Sequence, residues 1–325
     1  MRLSTKIWLI AALSLILLAG VVFASVMTAL DWDFTRLYTI KYETNEYEIT
    51  DDFSGFVINT DVADIDFVPS ENGKYSVECY EQENMPHEIS VKNGMLTVRV
   101  IDTRKWYEYI SINFESPKIT VCVPAGEYGA LSVKSSTGDV TLPKEFSFES
   151  IDITQSTGDV TNHASASGSI KIRTSTGDIT VENVYADSIE LSVSTGKVSL
   201  SETACRGDIT VGVSTGKADI SRVNCQNLSS SGGTGSISMN DVIAFSRILI
   251  KRSTGDVRFT DTDAAEISIR TSTGDVTGSL LSGKDFIADT NTGRINLPES
   301  SGDGRCEIST DTGDIKITVK PQHQG

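Results

Sequence analysis

The sequence predicts an all-β protein, a single-stranded parallel β-solenoid of right-handed winding preceded by one transmembrane helix. Three observations carry that prediction: a Thr-Gly dipeptide recurring at a fixed interval, apolar columns in phase with it, and a charge-free N-terminal run.

The dipeptide occurs as Thr137-Gly138, Thr157-Gly158, Thr176-Gly177, Thr195-Gly196, Thr215-Gly216, Thr234-Gly235, Thr254-Gly255, Thr273-Gly274, Thr292-Gly293 and Thr312-Gly313, with successive glycines 19 or 20 residues apart. Ten copies at one period are the mark of a repeat architecture. Aligned on the glycine, apolar residues fill the positions seven before it (Leu131, Ile151, Ile170, Ile189), five before it (Val133, Ile153, Ile172, Leu191) and two after it (Val140, Val160, Ile179, Val198). The residues between are mostly polar, so each repeat holds short strands of period two. No repeat can bury its apolar row alone, whereas stacked rungs bury a continuous column. Two or three strands with tight corners fit a rung of this length. Glycine supplies a corner that needs positive φ or close backbone approach. The Asp that often follows it is expected to bond local backbone amides, and the Thr before it to face inward at the corner.

The N-terminal run, residues 7–30, contains no charged residue. At about 1.5 Å rise per residue it exceeds a hydrocarbon core of ~30 Å. Arg2 and Lys6 precede it and Asp31 follows. Positive charge stays on the cytoplasmic side, which puts the N-terminus in the cytoplasm and the bulk of the chain outside. A cleaved signal is the alternative, with Val22-Phe23-Ala24 as a tolerable site, but the apolar run is longer than the ~7–15 residues usual for one. An anchor is preferred.

The resulting organisation is a cytoplasmic tail (1–6), the transmembrane segment (7–30), a linker (31–50), a β-rich N-terminal capping region (51–130), the solenoid (131–319) and a C-terminal tail (320–325). The capping region reads as strands around 57–68, 75–79, 107–114 and 118–123, with a hairpin turn at Lys92-Asn93-Gly94. It fits divergent rungs or a small β-sandwich. The far end shows a last strand at Ile315–Val319 and no evident cap.

Composition narrows function. The formal charge is −16, and without the +2 of Arg2 and Lys6 the remainder carries −18. Such a surface repels phosphate backbones, so nucleic acid is not an expected partner. Cys79, Cys122, Cys205, Cys225 and Cys306 form no CxxC pair, and His87, His163 and His323 are scattered, so no metal or cofactor is expected. Weak calcium binding near Asp139, Asp159 and Asp178 stays open, but Lys197, Lys217 and Arg294 interrupt the same column and exclude an ion at every rung. Cys205 and Cys225 are expected in neighbouring rungs, where a disulfide is open, and Cys306 as a buried free thiol. Thr-x-Thr pairs such as Thr174/Thr176 admit an ice-binding face, which the inward reading of Thr opposes. Trp106, Tyr107 and Tyr109 form a core strand or a stacking patch.

The Ile119-Thr120-Val121-Cys122-Val123-Pro124-Ala125-Gly126 lead-in, followed by repeated Ser-Thr-Gly-Asp-Val/Ile after a single membrane segment, resembles the bacterial LiaG-like "putative adhesin" family. That resemblance implies a β-solenoid of unknown function at the cell envelope, in some members associated with envelope stress; it carries no catalytic residues. The expected function is therefore non-catalytic: a membrane-anchored surface scaffold or binding module for another envelope protein or a wall polymer. The alternative is a self-assembling, filament-forming β-helix. A carbohydrate-active β-helix enzyme ranks third, because the uniform spacing leaves no inserted loop to wall a groove. Oligomeric state is not readable.

Overall fold

A computed structural model describes residues 3–32, 41–104, 115–299, 302 and 304–320. Helix α1 spans Leu3–Ala29. Within it Trp8–Ala29 has mean hydropathy 2.7 and is long and apolar enough to cross a membrane.

The Thr-Gly repeats are the rungs of a parallel β-solenoid. The Gly177 rung carries three short strands, Ser169–Thr176, Ile179–Glu182 and Tyr185–Ala186. Neighbouring rungs pair in parallel and column on column, as Ile151↔Ile170, Ile172↔Leu191, Val160↔Ile179 and Val198↔Ala218 show. Equivalent residues therefore share one environment, and Leu131, Ile151, Ile170 and Ile189 are all 1% exposed or less. The repeated apolar columns are one continuous core. The pairing Ala204↔Asn224 sets Cys205 beside Cys225; both are buried free thiols, as is Cys306.

The first corner follows each Thr-Gly. Nine of the ten glycines hold φ between 128° and 151°, and at all ten a Cβ would fall 1.6–2.2 Å from a backbone oxygen of the adjacent rung. Here the structure corrects two expectations. All ten threonines before the glycine are exposed. Strand alternation stops at the residue three before glycine, and two outward residues in succession then turn the chain. The inward hydroxyls sit two positions earlier: Thr174 Oγ1 donates to Gly158 O (3.4 Å) and Thr310 Oγ1 to Gly274 O (3.1 Å). A Thr-x-Thr pair thus faces opposite ways and builds no flat threonine face. The aspartates also act between rungs, not locally: the amides of Asp159 and Asp178 donate to the carboxylates of Asp139 and Asp159, each at 2.7 Å.

Both ends depart from chain order. Strands β1 (Tyr42–Ile49), β2 (Gly55–Asn59), β3 (Asp64–Pro69), β4 (Tyr75–Gln82), β5 (His87–Lys92), β6 (Met95–Val100), β7 (Lys118–Val123) and β8 (Gly126–Thr137) open the chain. β2 pairs in parallel with β8 through Phe56↔Leu131, and Ile65 pairs with Val140. Residues 55–69 are therefore a further rung, with Ala63-Asp64 standing where later rungs have Gly-Asp. β6 and β7 pair in parallel with β2 and β3 on the other side, forming the next rung outward. β5 and β4 then add antiparallel, and β1 adds to β4. Antiparallel strands end the parallel stack, and the Asn93-Gly94 turn (φ 53° and 72°) closes the β5–β6 hairpin. Phe56, Phe67 and Phe148 pack edge to face at centroid distances of 5.2–6.1 Å, filling the interior beneath this cap.

At the far end the last two rungs exchange places. Strand Arg305–Thr312 lies between Val257–Thr273 and Asp285–Thr292, so the Gly293 rung is terminal in space although the Gly313 rung is terminal in sequence. Burial explains the order. The Gly313 rung offers Ile308, Ile315 and Ile317, all 2% exposed or less inside the stack. The Gly293 rung offers Phe286 and Ala288, which stay half-buried, and leaves Ile295 45% exposed.

Candidate functional site

Two places combine chemistry with shape. The first is a shallow groove of about 450 Å³ on the third face of the first rungs, next to the cap. Small residues, Ser147, Ser165 and Ala166, make its floor, and Glu127, Glu149 and Tyr185 rise around it. It crosses about three rungs, or roughly 15 Å at ~4.8 Å per rung. Tyr128 and Phe148 close it from below, and Tyr128 OH donates to Pro124 O at 2.7 Å. Burial, then nearby Tyr75, pushes the Tyr128 phenol up to about 12, so it stays a neutral donor. Tyr185 is 39% exposed and carries the Arg206 guanidinium 5.4 Å from its ring centroid. The lining holds two acids and no base. It can accept hydrogen bonds from hydroxyl or cationic groups and offer a ring for stacking.

The second place is a buried cluster inside the cap. The inward row of β4 reads Val77, Cys79, Glu81, and all three are 0% exposed. After the turn, His87 brings both its backbone N and its ring Nδ1 to 2.6 Å from Glu81 Oε2. His87 Nε2 lies 3.0 Å from Thr60 Oγ1, and Asn45 Nδ2 donates to Glu81 Oε1 at 2.9 Å. Burial raises the Glu81 carboxyl, but hydrogen bonds from His87 and Asn45 outweigh it and hold the group below the usual carboxylate value. Burial and the Glu81 charge push the Cys79 thiol up to about 12. The order Thr60–His87–Glu81 resembles a nucleophile, base and acid. Yet Thr60 is only 7% exposed, and no described groove is lined by it.

The sequence reading did not bring these residues together: Cys79 and Glu81 share a strand face by their i, i+2 spacing, but His87 joins them only through a turn. Asp139, Asp159 and Asp178 do stack as expected, each carboxylate accepting the amide of the following rung and the last accepting from Lys197 N (2.7 Å). In space the second acidic run is Asp256, Asp275, Asp314, and it ends on Arg294 N. Each run terminates on a base, so Lys197 and Arg294, two of the interruptions seen in sequence, are the ends of two ladders, and Lys217 lies between them. Trp106, Tyr107 and Tyr109 lie outside the described residues.

Among solved structures, the chain is similar to a "putative adhesin" from Parabacteroides merdae (16% identity, 73% of this chain and 96% of that one, TM-score 0.49). It is similar also to one from Bacteroides fragilis (18%, 86% and 97%, TM-score 0.41). A "putative lipid binding protein" from Parabacteroides distasonis is similar at 16% identity, 84% and 98% coverage and a TM-score of 0.44. No curated protein matches. The family model described as Toastrack DUF4097 matches residues 53–212 and 202–324, nearly all of the chain beyond the apolar helix and the linker, and the chain belongs to that family.

Proposed function

We propose that this protein is a non-catalytic surface binding module, anchored by α1 with the solenoid outside the membrane, and that the groove beside the cap takes a hydroxyl-rich wall polymer. The groove carries the reading: a small-residue floor with acceptor carboxylates at Glu127 and Glu149 and an exposed ring at Tyr185, extended along the solenoid axis. Stacking and hydrogen bonds in a shallow, open dip suit a chain held along its length. The apolar helix and the charge order around it support the anchored topology.

Binding of the detergent-solubilised full chain to isolated wall polysaccharide tests this. Tyr185→Ala should weaken binding at least fivefold and Glu149→Gln by less, with Phe245→Ala, at an exposed corner elsewhere, as the unchanged control. Equal binding by all variants would sink the groove as the site. Protease digestion of the solenoid on intact, wall-stripped cells checks the topology.

A second reading, self-association, rests on the terminal Gly293 rung, whose Ile287 and Ile295 are 51% and 45% exposed. The opposite end is closed by antiparallel strands, so this edge favours a dimer of ends over a filament. Sedimentation that shows only monomer up to high concentration removes it.

A further inference from the structure

The cap contains three different ligand chemistries converging where an apolar core should be. We propose that Cys79, Glu81 and His87 bind a divalent transition metal of the zinc class. The Sγ, carboxylate oxygen and ring nitrogen all lie within 4.8 Å of one another. Tetrahedral zinc, with sulfur at about 2.3 Å and nitrogen or oxygen at about 2.0–2.2 Å, sets its ligand atoms roughly 3.2–3.6 Å apart. Side-chain shifts of up to about 1 Å close the site: His87 Nδ1 and Glu81 Oε2, now 2.6 Å apart, open to about 3.3 Å, and the ion replaces the hydrogen bond between them.

Burial favours this assignment. Cys79 and Glu81 are 0% exposed and His87 is 4% exposed. They face the inward row in which Cys79 pairs with Ile119 and Val77 with Val121. An ionised carboxylate in such a row is expensive unless its charge is matched. A divalent ion bound by one thiolate, one carboxylate and one neutral imidazole leaves no net charge. Thiolate with imidazole selects zinc-class ions over calcium or magnesium, which take oxygen ligands. The surroundings fit too. Metal-bound histidines use the second ring nitrogen to donate to a fixed acceptor, and His87 Nε2 has Thr60 Oγ1 at 3.0 Å. Asn45, half-buried, donates to Glu81 Oε1 and fixes the carboxylate. A water completes the fourth position. Because Cys79 and Glu81 lie on β4, His87 on β5 and Thr60 just after β2, the ion would clasp the antiparallel cap onto the first rungs.

The test uses the solubilised full chain stripped with chelator and titrated with Co2+. One equivalent should bind and give a thiolate-to-cobalt charge-transfer band, which Zn2+ then displaces, and Zn2+ should raise the melting temperature. Cys79→Ser should abolish the band and weaken zinc binding at least tenfold, while Cys225→Ser should change neither. Absence of the band in the unaltered chain overturns the proposal, whether or not the variants fold. Persistence of the band in Cys79→Ser overturns it as well, by placing the metal elsewhere.

Discussion

Two corners turn through positive-φ backbone, the first in nine of the ten repeats and the second in five, and they solve the turn with different residues. The first uses glycine at every repeat. The second, six residues later, uses Asn183, Glu202, Arg222, Asp241 and Asp261, with φ between 50° and 56°. Asparagine and aspartate tolerate that region; glutamate and arginine are unusual there. The difference is room. At the first corner a Cβ would meet the backbone of the adjacent rung, whereas at the second the side chains project outward and pair across rungs, as Arg222 does with Glu202 at 2.8 Å. Stacking, not turning, imposes the glycine repeat.

The largest effect should come from violating that stacking. In Gly216→Ala the new Cβ would sit 1.8 Å from Gly196 O, where neither backbone can retreat without breaking the ladder. A loss of about 3–5 kcal/mol is expected, in the range of buried strain and lost ladder bonds together. Chemical denaturation reads it directly. A loss under about 1 kcal/mol would mean the corners are looser than drawn.

The interior of the first corner offers the opposite sign. Arg252 is 4% exposed, donates to Val213 O and Ser230 Oγ at 3.2 Å each, and leaves Nε without a partner. It occupies space vacated by Gly232, whose Cβ would lie 1.9 Å from its Nη1. Burial depresses its pKa, the expected response of a guanidinium with no carboxylate beside it. Other rungs place Val193 or Val213 here. Arg252→Met should stabilise by about 1–2 kcal/mol, since apolar replacement of a buried charge without a counter-ion is commonly favourable. Destabilisation would show that the two hydrogen bonds outweigh desolvation.

At the second corner, Glu202→Gly relieves left-handed strain of about 1–2 kcal/mol and loses an exposed ion pair of about 0.3 kcal/mol plus chain entropy of about 0.5–1 kcal/mol. The expected net gain is about 0.5 kcal/mol in denaturant midpoint experiments. The same glycine substitution at Thr203, which is buried with its hydroxyl on Ser201 O at 2.9 Å, should destabilise. Opposite signs at adjacent residues would confirm that the corner is positioned as described.

This contrast explains what was legible. The glycine column and the apolar rows stand out because every rung imposes the same steric and burial constraint. The second corner escaped notice because its residues share a backbone conformation, not a side chain. Thr before glycine was misplaced because it and the residue two earlier have the same parity, and period alone cannot say where alternation stops. Nor could repeats carrying equivalent columns reveal that the Gly313 rung enters before the Gly293 rung. The Cys79–Glu81–His87 cluster was hidden because antiparallel pairing and a turn, not a repeat, assemble it. That cluster has its own pH signature. Glu81 is held below its ordinary value, so in the metal-free protein its contribution is full above the unfolded carboxylate value of about 4.3 and is lost as pH falls below it. Glu81→Gln should flatten that acid limb in melting experiments.

The smallest effect concerns the outer side of the first corner, where Asp139, Asp159 and Asp178 stack. Each carboxylate accepts an amide at 2.7 Å from the rung above, a stabilising contact, yet each also faces like charge about 4.8 Å away. In water that repulsion is about 0.9 kcal/mol per neighbouring pair before screening. Asp159→Asn keeps an oxygen for the Asp178 amide, exchanges a charge-assisted bond for a neutral one, and removes both repulsions. Asp159→Ala removes the acceptor altogether. At physiological salt, where the Debye length is about 8 Å, Asp159→Asn should change stability by less than about 0.5 kcal/mol, and at ~0.01 M salt it should stabilise by up to about 1 kcal/mol. Asp159→Ala should cost about 1 kcal/mol at physiological salt through the amide left unpaired. The two substitutions separate acceptor from charge. If Asp159→Asn destabilised equally at both salt concentrations, the aspartate ladder would owe its strength to charge-assisted bonding, with repulsion between its rungs negligible.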